Sequence, residues 1–252
     1  PRFEVWPGAQ DVAPLNTRIF VRARADWDEV CDPATAAPCV RGSFSFSLRA
    51  AKGATASSLT LTRHIRIVEG TAWLELVPPI PLSPKTRYEL WVSESNGREP
   101  PFLSGAITTS DKRDDAEPTW QGLESVRFHD DAKPTPGGGK PVMSMCGNNR
   151  ALTFTFAPAS DEGSVRYAVW IGAVDPAKPP LAIVEPEPSQ LASATGAGPL
   201  KTFALGHLGS CGWFTTPIPD AGSTKVMVRP LDAAGNFGAA SVKTVALVNA
   251  PP

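Results

Sequence analysis

Four cysteines and three histidines are the residues whose types could carry nucleophilic or metal chemistry in this 252-residue chain. Cys211 lies in "GSCGWF". A thiolate nucleophile needs a helix start to lower its pKa and a histidine base within reach. "TTPIPD" follows Cys211, and its two prolines prevent a helix from starting there. His207 precedes the cysteine and no histidine follows it. The expected role of Cys211 is therefore half of a disulfide. Neither Cys31 with Cys39 nor Cys146 with Cys211 has the C-x-x-C spacing of zinc and redox sites. His64, His129 and His207 are isolated, whereas zinc needs three or four converging ligands.

An even cysteine count split between the two halves of the chain reads as two disulfides, Cys31–Cys39 and Cys146–Cys211, in an exported protein. The second would close a loop of about 65 residues and contribute at most about 4 kcal/mol on the chain-entropy model. The chain opens "PRFEVW" without a charged-then-apolar leader, which a mature or trimmed product explains.

The acidic groups come next. Asp26, Asp28, Glu29 and Asp32 form one cluster, and Asp111, Asp114, Asp115 and Glu117 form another. Hard cations bind through such oxygens, but neither run has the glycine-containing twelve-residue calcium loop. Both are read as solvated, with no metal or cofactor expected and calcium left open. "GGGKP" fails as a phosphate loop, because the motif requires Gly at 134 and Ser or Thr at 141, and both are proline. No H-E-x-x-H, G-x-S-x-G or N-x-[ST] motif occurs. No catalytic residue is expected.

Two surface features suit binding instead. Trp213 and Phe214 sit on the Gly- and Pro-rich loop at Cys211, and Trp91 alternates out of phase with Tyr88, Leu90 and Val92. Aromatics on a rigid loop are common binding anchors. These three form the candidate patch. Arg18, Arg22 and Arg24, with Arg63 and Arg66, would make a basic strand face. A net charge of -1 gives no overall field for nucleic acid. No apolar run approaches the roughly 20 residues of a membrane-spanning helix.

The elements that must position these residues are strands. Phe44, Phe46 and Leu48 alternate with serines, and Leu59 and Leu61 with threonines. The same period of two runs through Leu152, Phe154 and Phe156, then Val165, Tyr167, Val169 and Ile171, then Val226 and Val228. Trp73 and Trp170 are expected in or beside the cores. Twenty-seven prolines and 21 glycines fall between the alternating runs, as turns do. No twelve-residue window carries a clean helical stripe. The fold class expected is all-β, built as two tandem β-sandwiches. A charged segment ending in proline, "DKRDDAEP", marks the boundary. The domains expected are residues 1–112 and 118–252, joined by 113–117.

The first half resembles the bacterial Ig-like domains of the S-layer-protein (SbsA) type. Pro7, Gly8, Ala9, Val12, Ile19 and Val21 match the opening of that family. Leu82, Pro84, Thr86, Tyr88, Leu90, Val92 and Thr109 match its closing pattern. The resemblance implies that Tyr88 is a tyrosine corner, its hydroxyl bonded back to the turn. It departs from the family at Ala23 and in the cysteine-bearing insert 31–39. The first domain is also similar to copper-resistance proteins with an Ig-like barrel, but Pro1 and Arg2 stand where those carry a histidine ligand.

The second half resembles a fibronectin type III-like sandwich through the D-x-x-G-N turn at Asp232, Gly235 and Asn236. Val242, Val245 and Leu247 follow as the last strand, and the tyrosine usual in the penultimate strand is missing. The resemblances imply a structural or binding module at the periplasm, outer-membrane surface or exterior of a bacterium, acting in adhesion or with a protein or glycan partner. The other reading is an accessory glycan- or peptide-binding region of a larger secreted hydrolase.

Overall fold

The computed structural model describes residues 3–23, 44–51, 59–60, 62–68, 71–94, 101–130, 150–178, 180–192, 199–207, 218–219 and 222–248. All four cysteines, Trp213, Phe214, Arg24, the acidic cluster 26–32 and the GGGKP stretch lie outside these residues.

The chain adopts the expected fold class: among the described residues it is all-β and forms sandwiches. It divides into two units. The first comprises Pro1–Glu117 together with Asp161–Ser164 and Asp232–Asn236. The second comprises Pro118–Ser160, Val165–Leu231 and Phe237–Pro252.

In the first unit, β1 (Phe3–Trp6), β3 (Ile19–Ala23), β7 (Thr71–Val77) and β6 (Thr62–Val68) make one antiparallel sheet in the order β1-β3-β7-β6. The facing sheet contains β2 (Val12–Ala13), β9 (Phe102–Thr109), β8 (Arg87–Glu94), β4 (Phe44–Ala50) and β5 (Leu59–Thr60), in the order β2-β9-β8-β4-β5. Its β2–β9 pair is parallel. Ile19, Val21, Leu74 and Leu76 from the first sheet meet Phe46, Leu48, Tyr88, Leu90, Val92 and Ile107 from the second. These are the alternate residues of each strand, because successive side chains of a strand point to opposite faces. Of the expected strand through Leu59 and Leu61, Leu59 and Thr60 form β5, and Leu61 lies outside the described residues.

In the second unit, β10 (Leu123–Asp130), β11 (Arg150–Phe156), β15 (Pro199–His207) and β14 (Glu187–Ala192) form one sheet in the order β10-β11-β15-β14. The opposite sheet contains β13 (Ala182–Val184), β12 (Val165–Ile171), β16 (Ser223–Asp232) and β17 (Ser241–Ala246), in the order β13-β12-β16-β17. Phe154, Phe156 and Phe203 pack on Tyr167, Val169, Val226 and Val228 in the shared core.

One expectation is corrected here. Strands β12 and β16 read as half-buried from their alternation, yet part of the outer face of each is covered as well. Trp170 and Met227 are only 4% and 3% exposed and form a second small core with Ala168. Phe237 and Val174 pack against this core. The Trp170 indole donates to the Lys178 carbonyl at 3.0 Å, so the loop 172–178 lies over the sheet. A loop across the outer face leaves only part of it solvated, as at Lys225 of β16. The last strand differs the other way, since Val242 is 52% exposed while Val245 and Leu247 are buried.

Candidate functional site

Both tyrosines of the chain bind backbone rather than solvent. The Ser83 N–H donates to the Tyr88 hydroxyl at 2.9 Å, in the turn that leads into β8. Buried Thr109 braces the same turn, its Oγ1 donating to the Ser83 carbonyl at 2.6 Å and accepting from the Thr86 N–H at 2.9 Å. In the second unit the Ala159 N–H donates to the Tyr167 hydroxyl at 2.7 Å. Tyr167 therefore ties a turn as Tyr88 does, from β12 rather than from the penultimate strand. Burial pushes its phenol above the usual value of 10.0, against the opposing effect of the Ala159 hydrogen bond.

The D-x-x-G-N turn is a closed loop within the first unit. The Asn236 N–H donates to Asp232 Oδ1 at 2.8 Å, and the Gly235 N–H to the Asp232 carbonyl at 3.2 Å. Gly235 has φ +91, and a Cβ there would fall 2.4 Å from Arg18 Cδ. Only glycine meets both conditions. The same turn binds the N-terminal loop: Arg18 N–H and Thr17 Oγ1 both donate to the Ala233 carbonyl, at 2.8 and 2.9 Å. Arg18 also forms an ion pair with buried Glu75.

The charged run Asp111–Glu117 is bonded into this arrangement. Asn16 accepts from the Asp114 N–H at 2.9 Å and donates back to the Asp114 carbonyl at 2.8 Å. Asn236 Nδ2 donates to the Asp114 and Ala116 carbonyls at 3.2 and 3.0 Å. Asn16 and Asn236 thus place the Asp114 backbone beside the D-x-x-G-N turn.

Three carboxylates meet there. One oxygen each from Asp114, Asp161 and Asp232 lies within 4.8 Å of the others. Asp232 is 0% exposed, and its Oδ2 has no hydrogen-bond partner among the described residues. Two unit charges 4.8 Å apart repel by about 3.5 kcal/mol at an effective dielectric of about 20. Burial raises the Asp232 carboxyl from 3.8 to about 6; the hydrogen bonds from Asn236 oppose this, and the charges of Asp114 and Asp161 add to it. The Asp114 carboxyl is also raised, first by burial, against the Ala116 hydrogen bond, with Asp161, Glu162 and Asp115 adding to the rise.

Of the residues named for this site, only Asp114 belongs to an acidic run of the sequence. Asp161 sits 47 positions from it and Asp232 another 71 positions on, counted as 161 − 114 and 232 − 161. The D-x-x-G-N pattern was the one local signal that Asp232 has a structural partner.

Trp91, the described member of the candidate patch, is half-buried on the outer face of β8. The Arg49 guanidinium lies 4.8 Å from its ring centre, and its indole donates to Glu89 Oε2 at 3.1 Å. The pairing of β8 with β9 shifts register between Leu90 and Trp91. A bulge of this kind re-aims a side chain. The basic face reduces to Arg18 among side chains that are described, and that one is paired with Glu75.

A cleft of about 420 Å³ opens beside the N-terminal loop, with Leu15, Arg18, Pro79, Pro81, Arg113 and Asn236 in its wall. Arg18 faces Glu75 and Arg113 faces Asp115 at 3.5 Å, so an entering anion must compete with a carboxylate already in place.

No family model matches the sequence, and no curated protein matches it. Solved structures do. Fibronectin(III)-like modules of Clostridium thermocellum CbhA are similar at 14% identity over 98% of this chain and 94% of that one, with a TM-score of 0.27. The N-terminal Ig1-2 module of the Drosophila receptor protein tyrosine phosphatase DLAR is similar at 12% identity over 97% of this chain and 99% of that one, with a TM-score of 0.26. An Anoxybacillus sp. LM18-11 pullulanase, complexed with maltotriose, is similar at 13% identity over 90% of this chain and 24% of the enzyme, with a TM-score of 0.24. Likeness at these TM-scores carries nothing about activity or ligand.

Proposed function

We propose that this chain is a non-catalytic structural and binding module of the bacterial envelope or cell surface, exported and carrying the disulfides Cys31–Cys39 and Cys146–Cys211. The observation that supports this reading is where its polar side chains go. Tyr88, Tyr167, Thr109, Asn16, Thr17 and Asn236 each bond to backbone in a turn or loop. Side chains used this way fix loop geometry and present a rigid surface for a partner. The outward pair Trp91 and Arg49 is part of the surface offered, together with Trp213 and Phe214. The S-layer-type resemblance of the first half belongs to the same proposal, and a protein or glycan partner fits it.

The experiment is to alkylate the unfolded, unreduced protein, weigh it, and map the linked peptides. No free thiol, with the two linkages above, supports export. A free Cys211 in protein from its native compartment overturns the export reading. Binding is tested by capture from bacterial envelope extract with the wild type and Trp91→Ala in parallel. A partner retained equally by both excludes Trp91 from the patch.

A further inference from the structure

We propose that Asp114, Asp161 and Asp232 form a calcium site. Three separate stretches of the chain place their carboxylates together, with one oxygen from each within 4.8 Å of the others. Ca²⁺ holds its oxygen ligands at about 2.3–2.6 Å, so ligands on opposite sides stand up to about 5 Å apart. The separations are therefore of the size that ligands of a single calcium span. Mg²⁺, with ligands at about 2.0–2.1 Å, spans only about 4 Å and demands a stricter octahedron.

Proximity of acids alone does not make a site. The second observation is Asp232 itself. It is fully buried, its Oδ1 is taken by the Asn236 N–H, and its Oδ2 has no donor among the described residues. A buried carboxylate oxygen without a donor is costly unless a cation or proton satisfies it. Among the described residues no basic side chain pairs with any of the three aspartates. The nearby arginines are engaged elsewhere: Arg18, beside Gly235, with Glu75, Arg113 with Asp115, Arg166 with Glu185, and Arg229 with the Phe237 and Gly238 carbonyls. Calcium supplies the missing charge, with water completing its shell. The site stands independently of the module's partner.

The test is isothermal titration of the full chain, stripped with EGTA, with CaCl₂ up to about 10 mM, since weak extracellular calcium sites have dissociation constants of about 10⁻⁴–10⁻³ M. MgCl₂ is titrated separately. The expected result is one saturable calcium site per chain, weaker magnesium binding, and binding at least about tenfold weaker in Asp161→Asn and Asp232→Asn. Asp111→Asn, an acid of the same charged run that pairs with Lys85 at 3.5 Å, is expected to bind as wild type. Asp161 is on a loop and only half-buried, so its variant carries the test if Asp232→Asn does not fold. Absence of saturable binding by the wild type overturns the proposal. So does undiminished binding by a folded Asp161→Asn, or a loss in Asp111→Asn equal to that in Asp161→Asn.

Discussion

Tyr167→Phe removes one oxygen and leaves the ring in place, which isolates the hydrogen bond from the packing. The ring stacks at a tilt on Phe156 with centroids 4.5 Å apart and lies 5.7 Å from Trp120. Those contacts survive the substitution. What is lost is the acceptor for the Ala159 N–H, now 2.7 Å from the hydroxyl. An unpaired buried donor costs about 1–3 kcal/mol. Tyr167 is 2% exposed, but Ala159 is only half-buried, so water offsets part of the loss. The expected destabilisation is about 1–2 kcal/mol. Urea unfolding followed by circular dichroism and by tryptophan fluorescence measures it, with Trp120 close enough to report on the site. The midpoint should fall while the slope stays constant, because the surface exposed on unfolding is unchanged. A loss under about 0.5 kcal/mol would refute the reasoning, since it would mean the N–H is fully solvated without the tyrosine. A loss above about 4 kcal/mol would mean that the ring moved. Tyr88→Phe removes the acceptor of the Ser83 N–H and should behave alike.

In calcium-free protein, the raised Asp232 carboxyl means the folded state binds the extra proton between about pH 4 and pH 6. Its contribution to stability is therefore present below pH 4, lost as pH rises through 6, and worth about 3 kcal/mol in all. Asp232→Asn keeps an oxygen for the Asn236 N–H and should lack this loss; parallel pH profiles of the two proteins in EGTA would refute it. Gly206→Ala should cost more than about 2 kcal/mol, because φ is +142 and the new Cβ would fall 2.2 Å from the Arg150 carbonyl oxygen. A thermal melt within error of wild type would contradict that. Met227→Ala should cost about 2–5 kcal/mol by urea titration, as for a core methionine, where alternation along β16 would assign it to solvent and near-zero cost.

Alternation was enough to read the strands. Phe46 and Leu48, Tyr88 with Leu90 and Val92, and Phe154 with Phe156 all point into cores as their period of two requires. The turn-tying role of Tyr88 was legible because the residues around it fit a recognisable pattern. Tyr167 plays a matching part, but the expectation of a tyrosine in the penultimate strand directed attention elsewhere. Trp170 was expected in or beside a core and is buried, but the burial of Met227 was missed because a period of two reports the two faces of one strand. It contains nothing about a loop such as 172–178 lying over the outer one.

The sequence by itself determined the all-β class, the sandwich cores and the chemistry of the D-x-x-G-N turn, since each depends on residues a few positions apart. Only the tertiary structure decided that Asp114, Asp161 and Asp232 share one small volume. Each is an ordinary loop aspartate in its own segment. Their mutual repulsion, the burial of Asp232 and its donor-less oxygen exist only once backbone hydrogen bonds through Asn16 and Asn236 hold distant loops together. Local pattern fixes which way a side chain points along its own strand, whereas electrostatic coupling depends on distance through space.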